Sequence, residues 1–397
     1  MDSRERKMLD SDSVKTEKIY YEDAYAVHFT ANVISSGGNS IVLDRTAFFP
    51  EEGGQSPDRG VIAGFPVVDV RIRDGYIHHV LEIPEGKRMP AEGDAVEGSI
   101  DWDHRFSNMQ QHSGEHIFSG LVHTEFGFDN VGFHLSDREV TMDFNGVFPE
   151  GGLAMIEQKA NEAIWSNIGT QISFLEGTEA REAEYRSKLE LTGAVRVVTF
   201  PGIDACACCA PHVRRSGEIG CLAVVGSINY KGGTRVSILC GRRAMQLFAR
   251  EHMLLTRTAN FLTTSAENVP ESTMRLKNEN TSLKAALKSA SIAAMEMKAA
   301  ALPAGDHDAC LFEENELTGK VMQETVNRMT EKISGYCGLF CGNDAEGYRF
   351  AVGSRKKDSR EMAKILRERF GARGGGKPEM VQGSVHAAES EIKMLFD

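Results

Sequence analysis

Two pairs of possible metal donors, each spaced four residues apart, carry the strongest chemical signal in the sequence. His112 and His116 lie in the run Asp101 to Phe126, where Phe106, Met109, Gln110, Ser113, Ile117, Phe118 and Leu121 recur at helical spacing with no proline to interrupt them. Both imidazoles then project from one face of a helix, within reach of a single ion. Alone, such a pair on an ordinary helix is more often a surface or core feature than a ligand pair. The second pair, Cys208 and His212, belongs to Cys208-Cys209-Ala210-Pro211-His212, a turn-like segment that presents its side chains to a ligand. One cysteine and three histidines form a donor set suited to one zinc ion per chain. Cys206 and Cys209 compete with Cys208 for the sulfur position. Four protein donors would close the site and make it structural, whereas catalysis needs an open or exchangeable position. The spacing leaves both readings open.

Two further segments are unusual. Thr46 to Gly60 (TAFFPEEGGQSPDRG) sets small polar side chains, Thr46 and Gln55 among them, in a glycine-rich loop where backbone can approach a ligand. Between Arg349 and Lys377 ten Lys and Arg face three acids, a local net of +7 in a chain whose net charge is −12. That contrast marks a phosphate-binding surface, with Arg355, Lys356, Lys357, Arg373, Gly374, Gly375, Gly376 and Lys377 as its candidate contacts. The overall acidity argues against a protein coated in nucleic acid.

The elements that must position these residues follow from composition and periodicity. A length of 397 residues, 41% hydrophobic and 26% charged, belongs to the soluble globular class and to two or three domains of about 150 residues. Eight cysteines are too few for a disulfide scaffold. The start, MDSRERKMLDSDSVKTEK, lacks an apolar signal core, and nothing approaches the ~18 apolar residues of a membrane helix, so a cytoplasmic location without membrane contact is expected. The fold class is α+β. Residues 1–18 form a disordered tail. Residues 19–100 alternate short β-type runs with turn clusters and form a small N-terminal β-barrel. Residues 101–243 form an α+β domain that holds the zinc, including an acidic helix from Glu179 to Leu191 and strands such as REVTMDF. Residues 244–302 are a helical linker, broken near Asn268–Pro270. In it Leu276, Asn280, Leu283, Leu287, Ala290, Ala294 and Met297 alternate spacings of four and three, a seam that packs on its own domain or pairs as a coiled coil with a second copy. Residues 303–397 form a C-terminal α/β domain with the glycine-rich run, for RNA binding or dimerisation.

In this order the segments resemble the alanyl-tRNA editing proteins, AlaX-type free-standing relatives of the alanyl-tRNA synthetase editing domain. The likeness is carried by Phe48-Phe49-Pro50-Glu51-Glu52-Gly53-Gly54-Gln55, by His112-Ser113-Gly114-Glu115-His116 after Arg105, and by Cys208 to His212 followed by a strand. Gly374 to Gly383 resembles the RNA-binding domain appended to DHH phosphoesterases. The chain departs from the family in Cys-Cys-Ala-Pro-His where Cys-Gly-Gly-Thr-His is common, which removes a threonine hydroxyl. It also has Lys377 where arginine is usual, which loses bidentate phosphate geometry. The resemblance implies a zinc-dependent aminoacyl-tRNA deacylase, hydrolysing the ester of serine or glycine on alanine tRNA and so guarding translation fidelity. It implies that Thr46 bonds the serine hydroxyl and that Gln55 lines the same pocket. A homodimer through the linker or the C-terminal domain is one expected assembly. There is no room for an aminoacylation core ahead of the barrel, so no ATP use is expected. Two rival readings are a non-catalytic RNA-binding protein with a structural zinc, and an H-x-x-E-H metalloprotease with Glu115 as base. The protease reading leaves the Cys208 loop and the C-terminal glycines unexplained.

Overall fold

Alternation of apolar and polar residues governs the first hundred residues and closes six strands on one another. The chain, seen in a computed structural model, is described over residues 15–137, 140–176, 179, 183–187 and 194–397. It divides into two units, residues 1–254 and 255–397. The first unit opens with β1 (Glu17–Lys18), α1 (Ile19–Glu22), β2 (His28–Gly37), β3 (Ser40–Leu43), β4 (Arg45–Thr46), β5 (Gly60–Ile62), β6 (Phe65–Arg73), β7 (Tyr76–Leu81) and β8 (Ala95–Ile100). Six of these pair in a ring, β2-β3-β7-β6-β5-β8 and back to β2. Phe29, Ala31 and Val33 alternate inward along β2. A bulge between Val67 and Asp69 shifts the register of β6, so that Val67 and Val70 both reach the core. Residues 15–18, expected in the tail, lie on this unit: Thr16 donates to the Leu43 carbonyl at 2.9 Å, and β1 runs parallel to β4.

Helix α2 (Trp102–Phe126) follows, capped by the Asp101 carboxylate on the His104 amide and ended by Gly127 in the left-handed region. Most of its circumference is buried, which accounts for a sequence that mixes polar residues into every turn rather than leaving one wet face. The polar side chains are bonded. Gln111 exchanges hydrogen bonds with both backbone groups of Cys240, and Gln110 Nε2 donates to the Glu218 carbonyl. Arg105 and Asp58 are both fully buried and paired, and Arg105 also donates to the Ala24 and Ala47 carbonyls, which fastens the Thr46–Gly60 loop to the first turns of α2.

After α2 come β9 (Asn130–Leu135), β10 (Val140–Phe144), α3 (Gly152–Trp165), β11 (Gln171–Leu175), β12 (Val195–Phe200), β13 (Asp204–Ala207), β14 (Leu222–Tyr230) and β15 (Gly233–Cys240). They form a four-stranded sheet, β14-β15-β10-β9, and a three-stranded sheet, β11-β12-β13. Helix α2 packs on α3, β13 and β15. The start of the expected REVTMDF strand and much of the helix expected from Glu179 to Leu191 lie outside the described residues; residues 183–187 are described and are not helical, because Arg186 exchanges backbone bonds with Ala205 and Ala207 beside β13.

Helix α4 (Gly241–Phe261) spans the boundary between the units, and α5 (Val269–Ala301) starts with proline in its first turn, the break expected near Pro270. The second unit continues with β16 (Ala309–Glu313), α6 (Gly319–Lys332), β17 (Cys337–Asn343), β18 (Gly347–Gly353), α7 (Ser359–Phe370), β19 (Arg373–Lys377), β20 (Met380–Val385) and α8 (Glu389–Lys393). Its sheet runs β16-β17-β18-β20-β19, with β16 parallel to β17 and the remaining pairs antiparallel. The glycine-rich run is therefore an edge strand. At Gly374 φ is +151°, and a Cβ there would strike the Gln382 carbonyl; at Gly376 it would strike that of Met380. No described helix is long and apolar enough to cross a membrane.

Candidate metal centre

Helix α2 presents His112 and His116 one turn apart, and the segment after β13 brings Cys208 and His212 to the same place. One ligating atom from each of the four lies within 4.8 Å of all the others, so the group could hold a metal ion. The Cys208 sulfur is 3.3 Å from Nε2 of His212 and 3.6 Å from Nε2 of His112. The rings of His116 and His212 are 4.5 Å apart. All three histidines are buried.

The outer nitrogen of each ring faces a polar side chain. Nδ1 of His112 donates to Oε1 of Gln55 at 2.7 Å, Nδ1 of His212 lies 3.0 Å from the Ser113 hydroxyl, and Nδ1 of His116 lies 3.3 Å from Oδ2 of Asp204. Such partners fix the tautomer and turn the Nε2 lone pair toward an ion. The Ser113 oxygen also accepts from the Val213 amide, tying the ligand segment back to α2. Arg186 grips Asp204 through Nε and Nη2 at 2.6 and 2.9 Å. Burial works to raise the Asp204 carboxyl, but the hydrogen bonds and charges of His116 and Arg186 prevail and hold it below the usual carboxylate range. His116, Asp204 and Cys206 also lie close enough together to hold an ion. With both oxygens of Asp204 engaged by Arg186, that carboxylate serves to orient His116.

Burial, reinforced by the neighbouring imidazoles of His116 and His112, pushes the His212 pKa well below its ordinary value, so it is a neutral ligand at pH 7. Burial, with the nearby Cys209, raises the Cys208 thiol well above its ordinary value. A divalent cation at the site would reverse this and stabilise the thiolate.

The other expected residues are placed as follows. Gln55 is 1% exposed and touches the centre through His112. Its turn is bonded to β9 by the Ser56 and Leu135 amides, and at Gly54 a Cβ would collide with the Phe133 carbonyl. Thr46 is fully buried within the ring, accepting from the Phe48 amide at 3.1 Å and bonded at 2.9 Å to Nε2 of His79. Burial drives the His79 pKa down to about 4. That ring is neutral, and since its Nδ1 faces the Ile41 carbonyl, Thr46 is the donor to Nε2. In the second unit Arg355 is paired with Glu331 at 3.3 Å and Lys357 with Asp308 at 2.7 Å. Lys356, Arg369, Arg373 and Lys377 are exposed and make no ion pair among the described residues. The sequence reading missed Asp204, Ser113 and Arg196. An arginine among the apolar residues of Val195-Arg196-Val197-Val198 is the one signal that pointed to a buried cation; it is 7% exposed.

Residues 3–104 match the family described as tRNA synthetases class II (A), and residues 195–237, which contain Cys208 and His212, match the threonyl and alanyl tRNA synthetase second additional domain. The alanine–tRNA ligase of Pyrococcus abyssi is 27% identical across 99% of this chain and 46% of its own length. The alanyl-tRNA editing protein AlaX-L of Pyrococcus horikoshii is 30% identical over 58% of this chain and 59% of its own. The alanyl-tRNA editing protein Aarsd1 of Rattus norvegicus is 28% identical over 64% of this chain and 66% of its own. The chain spans less than half the length of the alanine–tRNA ligases it matches. By these matches the chain is similar to alanine–tRNA ligases and to the alanyl-tRNA editing proteins AlaX-L and Aarsd1.

Proposed function

We propose that the chain is a trans-editing deacylase that hydrolyses the ester of serine, and of glycine, on mischarged alanine tRNA, with zinc held by His112, His116, Cys208 and His212. The observation that carries this reading is the convergence of three Nδ1-anchored imidazoles and one cysteine in a homologue of editing proteins. Three nitrogens and one sulfur suit zinc better than a hard, oxygen-seeking cation. Bound there, zinc supplies a Lewis-acid charge beside the ester. An aminoacyl ester is already activated, so the chain's residues need only orient it, place a water and stabilise an oxyanion. Gln55 fixes the His112 tautomer through Oε1, while its Nε2 has no partner among the described residues and remains to donate to the aminoacyl group. Thr46 donates to His79 and accepts from Phe48, which leaves one lone pair for a serine hydroxyl. A pocket acceptor of this kind is what shape alone cannot supply between serine and alanine.

The second unit adds RNA affinity in this reading. Residues 303–397 act as a domain of the DHH-associated type, with Lys356, Arg373 and Lys377 as phosphate contacts beside Gly374–Gly376, and Arg355 and Lys357 as lesser ones. Leu276, Leu283, Leu287 and Met297 are exposed on α5 and form the seam of a homodimer.

A second reading, an RNA-binding protein with a structural zinc, draws on the same four donors, which fill a tetrahedral ion. The protease reading has less support, because Oε1 of Glu115 accepts from Ser119 and Asn130 at 2.7 and 2.6 Å rather than standing free as a base. A time course with seryl-, glycyl- and alanyl-tRNA(Ala) decides among them. Release of serine and glycine with retention of alanine supports the deacylase; tRNA binding without release supports the RNA-binding protein; casein digestion supports the protease.

A further inference from the structure

Buried polar groups in a folded protein are satisfied, so a cluster of charged or amide atoms without a protein partner marks strain, a water or the place of a ligand. Among the described residues, every buried carboxylate, amide or guanidinium atom without a partner belongs to Glu52, Gln55 or Arg196. Each of these three residues touches His112 or the Cys208–Ala210 segment. Glu52 and Gln55 close the same turn, with the Gln55 amide on the Glu52 carbonyl at 3.1 Å. Gln55 reaches His112, and Nη1 of Arg196 donates to the Cys208 and Ala210 carbonyls at 2.7 and 2.9 Å. The Cys209 thiol is hydrogen-bonded to the Glu52 carboxylate.

The atoms left over have a definite chemistry. Nε2 of Gln55 and Nε and Nη2 of Arg196 are donors and call for oxygen acceptors. Oε2 of Glu52 is a carboxyl oxygen and calls for a donor, which a cation serves best. Its neighbour Glu51 is exposed and faces Arg71 at 3.5 Å, whereas Glu52 makes no ion pair among the described residues. Glu52 is half-buried, but its Oε2 is shut off from water, and such an oxygen is best satisfied by a charged donor. An α-aminoacyl ester presents this complement: one ammonium next to a carbonyl and ribose oxygens.

We propose that Glu52 receives the α-ammonium of the aminoacyl group, with Gln55 and Arg196 directed at its oxygens, so that the site selects esters bearing a free, charged α-amine. The assignment rests on the deacylase reading above and names what that site recognises. It makes Glu52 a specificity residue that touches substrate but carries no step of the hydrolysis.

The experiment compares kcat/KM of the full chain on seryl-tRNA(Ala), N-acetylseryl-tRNA(Ala), which has lost the charge, and N-methylseryl-tRNA(Ala), which keeps it. A charge-assisted hydrogen bond predicts that wild type favours the seryl over the N-acetyl ester by at least about tenfold. The N-methyl ester should stay within roughly threefold of the seryl one, a limit well inside the effect of losing such a bond. Glu52→Gln should bring the seryl to N-acetyl ratio to within about threefold of one. Glu52→Asp should keep most of the preference, and metal content should be unchanged in both variants, which separates a specificity residue from a merely structural one. Equal rates of wild type on the seryl and N-acetyl esters overturn the assignment whether or not any variant folds. A wild-type preference that survives Glu52→Gln overturns it as well. A wild type that releases serine from none of the three esters overturns the deacylase reading, and the assignment with it.

Discussion

Replacing Asp204 with asparagine separates what this carboxylate does for the fold from what it does for the metal centre. Its side chain is 1% exposed, gripped by Arg186 through two hydrogen bonds and 3.3 Å from Nδ1 of His116. Asparagine keeps the shape and removes the charge on which both neighbours depend. Breaking a buried pair from one side costs about 3–5 kcal/mol, and since the Arg186 side chain keeps 17% of its surface in water, the lower end, about 3 kcal/mol, is expected. Loss of the group that orients a ligand histidine lowers metal affinity by roughly 10–100-fold. Adding Arg186→Met removes the stranded cation, so the double variant should regain most of the stability and none of the affinity. Urea unfolding of the chelated protein reads the first quantity, and competition with a chelator of known affinity reads the second. Unchanged affinity in Asp204→Asn, or affinity restored in the double variant, would refute the orienting role of Asp204.

Metal binding should release a proton near neutral pH, because burial holds Cys208 as a thiol in the metal-free protein and the ligand must be a thiolate. Affinity should therefore rise about tenfold per pH unit between roughly pH 6.5 and 8, and calorimetry in buffers of different ionisation heat should lose most of that release in Cys208→Ser. Thr46→Val should lower the ratio of seryl- to alanyl-tRNA hydrolysis by about tenfold, the worth of one pocket hydrogen bond; an unchanged ratio would remove Thr46 from the pocket. Charge reversal at Lys356, Arg369, Arg373 and Lys377, which lack acidic partners, should weaken tRNA binding and flatten its logarithmic salt dependence by about 0.7–0.9 per lost contact. Reversal at Arg355 and Lys357, already paired with Glu331 and Asp308, should do less.

Periodicity and spacing made the helix that carries His112 and His116 legible, down to Asp101 at its start and Phe126 at its end. The strand pattern before it was legible for the same reason: alternation reports which side chains face inward, and Phe29, Ala31 and Val33 do. What spacing could not reveal was which of three crowded cysteines joins the histidines. That depends on where β13 ends: Cys206 and Ala207 still belong to the strand, Cys208 is the first residue beyond it, and Cys209 turns to Glu52. Asp204 and Arg186 were illegible because an ion pair between residues 18 apart leaves no period in the sequence. A run of glycines carries no strand signal because glycine is permissive, yet close approach of β20 is what requires it at Gly374 and Gly376. The +7 count in turn overstated the free charge, since Arg349, Arg355 and Lys357 face Glu316, Glu331 and Asp308, acids that lie outside the counted segment.

The central claim, that this centre hydrolyses mischarged alanine tRNA through a bound metal, is tested most directly on one preparation. Serine release from seryl-tRNA(Ala) is followed on the purified protein, after removal of metal by a chelator, and after restoring one equivalent of zinc. The account predicts release that falls with the metal and returns with it, while alanyl-tRNA(Ala) stays intact and the chelated protein keeps its fold by circular dichroism. Release at an equal rate with and without metal, or no release by the folded, zinc-loaded protein, would contradict it.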